Sequence, residues 1–135
     1  MVVQQLSHIC FKVSDLIKSK YFFRKIMKMR IAHTYRNKQS EIYGYFFSSK
    51  KNTFIEIFKK KRNEKLNYKN IFLHISFRVK NIKKTSNYFN KLGYKNTLKR
   101  GNTDKTLQFW IKGPEGIKIE FQQYDKESKL KKFIK

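Results

Sequence analysis

A nine-residue phrase occurs twice in the chain, and that duplication limits what the chain can fold into. His8-Ile-Cys-Phe-Lys-Val-Ser-Asp-Leu16 reads against His74-Ile-Ser-Phe-Arg-Val-Lys-Asn-Ile82. Each copy runs into a lysine-rich helical segment, Ser19-Lys-Tyr-Phe-Phe23 or Thr85-Ser-Asn-Tyr-Phe89. Each half closes on an apolar strand carrying one carboxylate, Phe54-Ile-Glu56-Ile-Phe58 or Lys118-Ile-Glu120-Phe-Gln122. The order His, Glu, His, Glu therefore repeats, with the histidines 66 residues apart and the glutamates 64 apart.

Period-two alternation sorts these strands into two faces. Ile9/Phe11, Ile55/Ile57, Ile75/Phe77 and Ile119/Phe121 form apolar faces able to pack on helices. The opposite faces carry His8, Cys10 and Lys12; Phe54, Glu56 and Phe58; His74, Ser76 and Arg78; and Lys118, Glu120 and Gln122. Ser14 is the expected N-cap of a helix over 15–28, with Asp15 in its first turn and Leu16, Phe23, Ile26 and Met27 as its packing stripe. Strands are expected over 30–36, 41–48 and 53–58, with a polar turn at 48–52. The second half repeats the order: a strand over 71–79, a helix over 82–92 capped at Gly93, and strands over 94–99, 106–112 and 117–124. Gly113-Pro-Glu-Gly116 suits a type I turn.

The fold class is α+β: two βαβββ modules forming a cupped mixed sheet, with the polar faces lining the cup. The chain reads as one domain. Module 1 covers about 1–58, a charged linker 59–70, module 2 about 71–124, and a charged tail 125–135.

With 135 residues and a single cysteine, Cys10, the chain needs no disulfide and suits a reducing, cytoplasmic setting. Its N-terminus has no basic region followed by an apolar core, and no run reaches the ~20 apolar residues of a membrane span. The net charge of +24 is spread along the sequence among many Asn, Ile, Phe and Tyr residues, unlike the clustered stripe of a nucleic-acid reader. Its positive field favours capture of an anionic small molecule.

His8, Glu56, His74 and Glu120 make a mixed nitrogen and oxygen donor set. It suits one divalent ion such as Zn, Ni, Co, Mn or Fe, and it is too nitrogen-rich for calcium. Four protein ligands on a six-coordinate ion leave two positions open, which is a catalytic arrangement. Singly, each residue reads as a satisfied structural histidine or a solvated glutamate; their equivalent positions in two copies favour the joint site. Arg78 and Gln122 are candidates for anion binding, and Trp110 for an aromatic wall. Cys10 reads as a small apolar filler and His33 as a surface residue. Tyr43, Tyr45 and Phe47 share one strand face as wall or core.

His8–Leu16 resembles the opening strand–helix junction of the vicinal oxygen chelate superfamily. That group includes glyoxalase I, fosfomycin resistance proteins, extradiol dioxygenases, methylmalonyl-CoA epimerases and bleomycin-binding proteins. Trp110-Ile-Lys-Gly-Pro-Glu-Gly-Ile-Lys-Ile-Glu-Phe121 resembles the family's closing hairpin, with Gly113 where an acid is usual. The likeness spans about Leu6 to Tyr124. Glyoxalase I-like members carry His, Glu, His and Glu at the positions of His8, Glu56, His74 and Glu120. Epimerases usually have Gln at the position of Glu56, and fosfomycin enzymes use three protein ligands. The resemblance thus implies a lactoylglutathione lyase-like enzyme that converts a 2-oxoaldehyde–thiol hemithioacetal into a thioester, with Glu120 as base and Glu56 as ligand or partner base. A related epimerase, a fosfomycin-type antibiotic-inactivating enzyme and a metal-free drug-binding protein are the alternatives. Glutathione-using members place Arg at the position of Lys12 and Asn at that of Lys60, so these two lysines are the expected thiol contacts. A homodimer is the implied assembly.

Overall fold

In the computed structural model of the chain the described residues are 6–50, 53–67, 72 and 74–133. Parts of the expected 48–52 turn, of the linker, of the strand expected from 71 and of the tail lie outside them. The chain divides into two compact units, residues 1–67 and 68–135.

The first unit runs β1 (His8–Val13), α1 (Leu16–Tyr21), a π-helical turn (Phe22–Ile26), β2 (Arg30–Arg36), β3 (Ile42–Ser48) and β4 (Phe54–Lys59). Its sheet has the order β1-β4-β3-β2. The β1–β4 pair is parallel and the other two are antiparallel. The second unit runs β5 (His74–Arg78), α2 (Ile82–Lys91), β6 (Lys99–Arg100), β7 (Leu107–Lys112) and β8 (Lys118–Gln123). Its sheet order is β5-β8-β7-β6, again with the first pair parallel. The fold is α+β, and each unit is a βαβββ module. No helix among the described residues is long and apolar enough to cross a membrane.

The apolar strand faces form the cores. In the first unit Val13, Phe47 and Ile57 are fully buried, and Phe23 packs on Phe47 with ring centroids 5.3 Å apart. In the second, Phe121 lies between Phe89 and Phe109, with centroid separations of 4.8 and 4.7 Å. Burial of such aromatic surface is the main stabilising term in each unit.

Several local expectations are corrected. Asp15, not Ser14, caps α1: its carboxylate accepts from the Lys18 amide at 2.9 Å. Asn81 does the same for α2, accepting from Lys84 at 3.0 Å. The helix expected over 15–28 is a short α-helix that widens into a π turn, closed by the Met27 amide on the Phe22 carbonyl at 2.8 Å. The wider turn lets adjacent Phe22 and Phe23 both enter the core, and Met29 takes the buried place expected for Met27. Of the strand expected over 94–99 only Lys99 pairs, together with Arg100 just beyond it. At the closing hairpin Glu115 sits at φ 61°, a positive angle that a type I turn does not contain. The tail ends in a 3₁₀ turn, Lys131–Phe133.

The two helices leave their last turns alike but with different residues. Lys28 holds φ 54° after the first helix, and Gly93 holds φ 87° after the second. Left-handed backbone costs an L residue ~1 kcal/mol, whereas glycine adopts it freely. A Cβ on Gly93 would meet nothing within 4 Å, so its penalty there is conformational alone. Urea denaturation should therefore show Lys28→Gly stabilising the protein by about 0.5–1 kcal/mol, and Gly93→Ala destabilising it by about 1 kcal/mol.

Candidate functional site

The parallel pairing of first and last strands decides where the polar side chains go. His8 lies opposite Phe54, so Glu56, two residues along, shares its face. His74 lies opposite Lys118, which puts Glu120 on the face of His74 in the same way. The result is the same pair twice. His8 Nε2 is 3.8 Å from Glu56 Oε2, and His74 Nε2 is 3.8 Å from Glu120 Oε2.

In each pair the imidazole is partly exposed and the carboxylate is withdrawn: 42% against 14% in the first, 40% against 7% in the second. A separation of 3.8 Å is too long for a hydrogen bond. It is short enough for both atoms to reach one ion, since two donors at ~2.1 Å from a metal lie at most ~4.2 Å apart. In chemistry and spacing each pair fits half of a divalent metal site. Among the described residues no group of three His, Cys, Asp or Glu side chains gathers to hold an ion, so the unit of structure is the pair.

An aromatic ring backs each histidine from the neighbouring antiparallel strand. Phe46 stands opposite Glu56 and meets the His8 ring edge-on, with centroids 5.4 Å apart. Trp110 stands opposite Glu120 and meets His74 edge-on at 4.8 Å. Ser7 Oγ lies 3.0 Å from His8 Nδ1, which occupies that nitrogen and leaves Nε2 towards Glu56.

The carboxylates differ in company. Tyr35 donates its hydroxyl to Glu56 Oε1 at 2.6 Å. That bond, then partial withdrawal from water and the nearby charge, push the phenol up to about 12. Cys10 is exposed as a residue, and the apolar filler expected there is not what the structure shows. Its sulfur lies against Glu56, where withdrawal from water, the hydrogen bond and the negative charge push the thiol up to about 12. Glu56 therefore faces two neutral donors. Glu120 accepts no hydrogen bond among the described residues.

Tyr35 was not legible in the sequence because β2 carries a bulge. Ile31 pairs with Phe47 and His33 with Phe46, leaving Ala32 extra, and the shift turns His33 and Tyr35 onto the Glu56 face. A second irregularity skips Tyr43, between the Tyr35–Gly44 and Arg36–Ile42 pairs. Tyr43 therefore parts from buried Tyr45 and Phe47 and stacks on Phe58 at 5.8 Å.

The sequence model of the Glyoxalase/Bleomycin resistance protein/Dioxygenase superfamily matches residues 5–121. The chain belongs to this superfamily. Solved structures of the same fold include a glyoxalase family protein from Enterococcus faecalis, 16% identical, with a TM-score of 0.70, covering 90% of this chain and 99% of that one. A lactoylglutathione lyase from Agrobacterium tumefaciens is 12% identical, with a TM-score of 0.69 and coverage of 91% and 96%. An integron cassette protein from the mobile metagenome of a Halifax Harbour sewage outfall is 18% identical, with a TM-score of 0.70 and coverage of 90% and 100%. No curated protein matches the sequence.

The remaining candidates of this superfamily member are placed as follows. Trp110 is half-buried and donates Nε1–H to Gln108 at 3.1 Å. Gln122 is 8% exposed and accepts from the Tyr124 hydroxyl at 3.0 Å, while Arg78 lies over the Tyr124 ring. Lys60 turns its ammonium to the Arg62 carbonyl at 3.4 Å. Lys12 is bonded to Glu64, whose other oxygen accepts from the Lys61 amide at 3.0 Å. The ammonium expected to meet a thiol carboxylate thus already holds one from its own chain. These bonds keep the Glu64 carboxyl below its ordinary range. A carboxyl so depressed stabilises the fold above the unfolded value, near pH ~4, and loses that contribution as pH falls through the folded one. A double-mutant cycle with Lys12→Met and Glu64→Gln should accordingly show favourable coupling at pH 7 that fades in 1 M salt and in acid.

Proposed function

We propose that the chain is a metal-dependent lyase of the glyoxalase I type, isomerising the hemithioacetal of a 2-oxoaldehyde and a thiol to a thioester. The observation that carries this reading is the repetition of one His–Glu pair, at one separation, on the same face of both modules. The two pairs together would hold a single divalent ion, and a homodimer in the cytoplasm is part of the proposal. When bound, the ion would supply Lewis-acid polarisation of a substrate oxygen, lowering the pKa of the adjacent C–H.

The residues divide the proton work by their surroundings. The reaction moves one proton from the carbon bearing sulfur to its neighbour and one from the first carbon's hydroxyl to the second carbon's oxygen, so atoms balance without a further reactant. Glu120, withdrawn from water and free of donors among the described residues, is suited to take that proton and return it. Glu56, fixed by Tyr35 and Cys10, is suited to stay in place as ligand or partner base. Phe46 and Trp110 hold the two imidazoles in orientation.

The test is metal content together with turnover of methylglyoxal and several thiols, followed at the ultraviolet thioester band. Glu120→Gln should lower kcat/KM by ~10²–10⁴ with the fold intact, and Glu56→Gln should lower metal content as well. Full activity in both variants, or a wild type that takes up no divalent ion, overturns the proposal.

A further inference from the structure

Beside the His74–Glu120 pair, wholly within the second unit, lies an open cavity of about 810 Å³. Its size is that of a small-molecule site. Its walls include His74 and Trp110 together with Lys95, Lys99, Lys112 and Lys118. Register explains why they converge. Lys118 lies opposite His74 on one side and Lys112 on the other, while Lys99 lies opposite Gln108, two residues before Trp110. All three sheet lysines therefore share the face of His74, Trp110 and Glu120; Lys95 joins from the segment before β6.

Two features mark the cluster as more than a solvated face. Lys112 and Lys118 are directly opposed across an antiparallel pair, a like-charge arrangement that works against stability. None of the ion pairs among the described residues involves any of the four lysines. The duplication supplies an internal comparison. In the first unit the row His8–Phe54–Ser48 takes the place of His74–Lys118–Lys112, and Tyr35–Gly44 takes that of Lys99–Gln108. Both modules carry the His–Glu pair, but among the described residues the one lysine on the first module's strand face, Lys12, is paired with Glu64, whereas the lysines around the second pair have no ion-pair partner.

We infer that the second module holds the anionic end of the ligand, a compact group of two or more negative charges in phosphoryl or polycarboxylate form, seated on Lys99, Lys112 and Lys118 against Trp110. This deepens the proposed function in naming the substrate's charged end. It rests on the polar face being a small-molecule site, but needs neither metal nor turnover.

Trp110 is the chain's one tryptophan, so its fluorescence reports the cavity directly. Wild-type protein, freed of metal by passage over a chelating resin and kept in 150 mM KCl, is titrated with pyrophosphate and, separately, with citrate. A saturable change with either is expected, the tighter probe identifying the phosphoryl or carboxylate class. Lys112→Gln/Lys118→Gln should weaken that binding at least ten-fold. Lys25→Gln/Lys83→Gln, which removes the same charge from the helical segments, should change it less than two-fold. No saturable response to either probe, undiminished binding by the first variant, or an equal loss in the second overturns the inference. Because no metal or aldehyde is present, that failure is distinct from failure of the lyase reading.

Discussion

The parallel pairing of the first and last strand in each module places its His–Glu pair. Side chains alternate along a strand, so a one-residue slip of β4 on β1 would send Glu56 to the core face and Ile55 or Ile57 to the face of His8. The same holds for β8 on β5. What fixes the register is the burial of Ile55, Ile57, Ile119 and Phe121 beneath the helices, at 3%, 0%, 0% and 3% exposure. The hydrophobic core thus sets the chemistry on the opposite face. Packing and site placement are two sides of the same strands.

The two modules share the His–Glu pair and differ in what surrounds it. Around His8 and Glu56 the face is aromatic: Phe46 stacks on Phe54 at 4.9 Å, and Tyr35 packs on Phe58 at 4.9 Å. Around His74 and Glu120 it is basic and holds a cavity. One module offers an apolar wall and a tethered carboxylate, the other a charged wall and an untethered one.

Much of this was legible because period-two alternation is a strong signal in strands buried on one face. The His–Glu positions, the core faces and the βαβββ order follow from Ile9 to Val13, Phe54 to Phe58 and their copies. What escaped was set by geometry that alternation does not encode. The bulge at Ala32 delivers Tyr35 to Glu56, and the skipped pairing at Tyr43 separates it from Tyr45. The π turn that buries Phe22 beside Phe23 arises from core packing, not from helix periodicity. Lys112 and Lys118 could be placed on the right faces, but their direct opposition depends on the register of the closing hairpin. The capture of Lys12 by Glu64 joins residues 52 positions apart and has no local signature.

Titration with cobalt(II), read by its visible ligand-field bands, tests most directly whether the two half-sites serve a single ion. Shared coordination predicts one equivalent per wild-type chain, and at least a hundred-fold weaker uptake when either His8→Ala or His74→Ala removes one imidazole. Two independent equivalents per chain, or wild-type affinity retained by either variant, would contradict it.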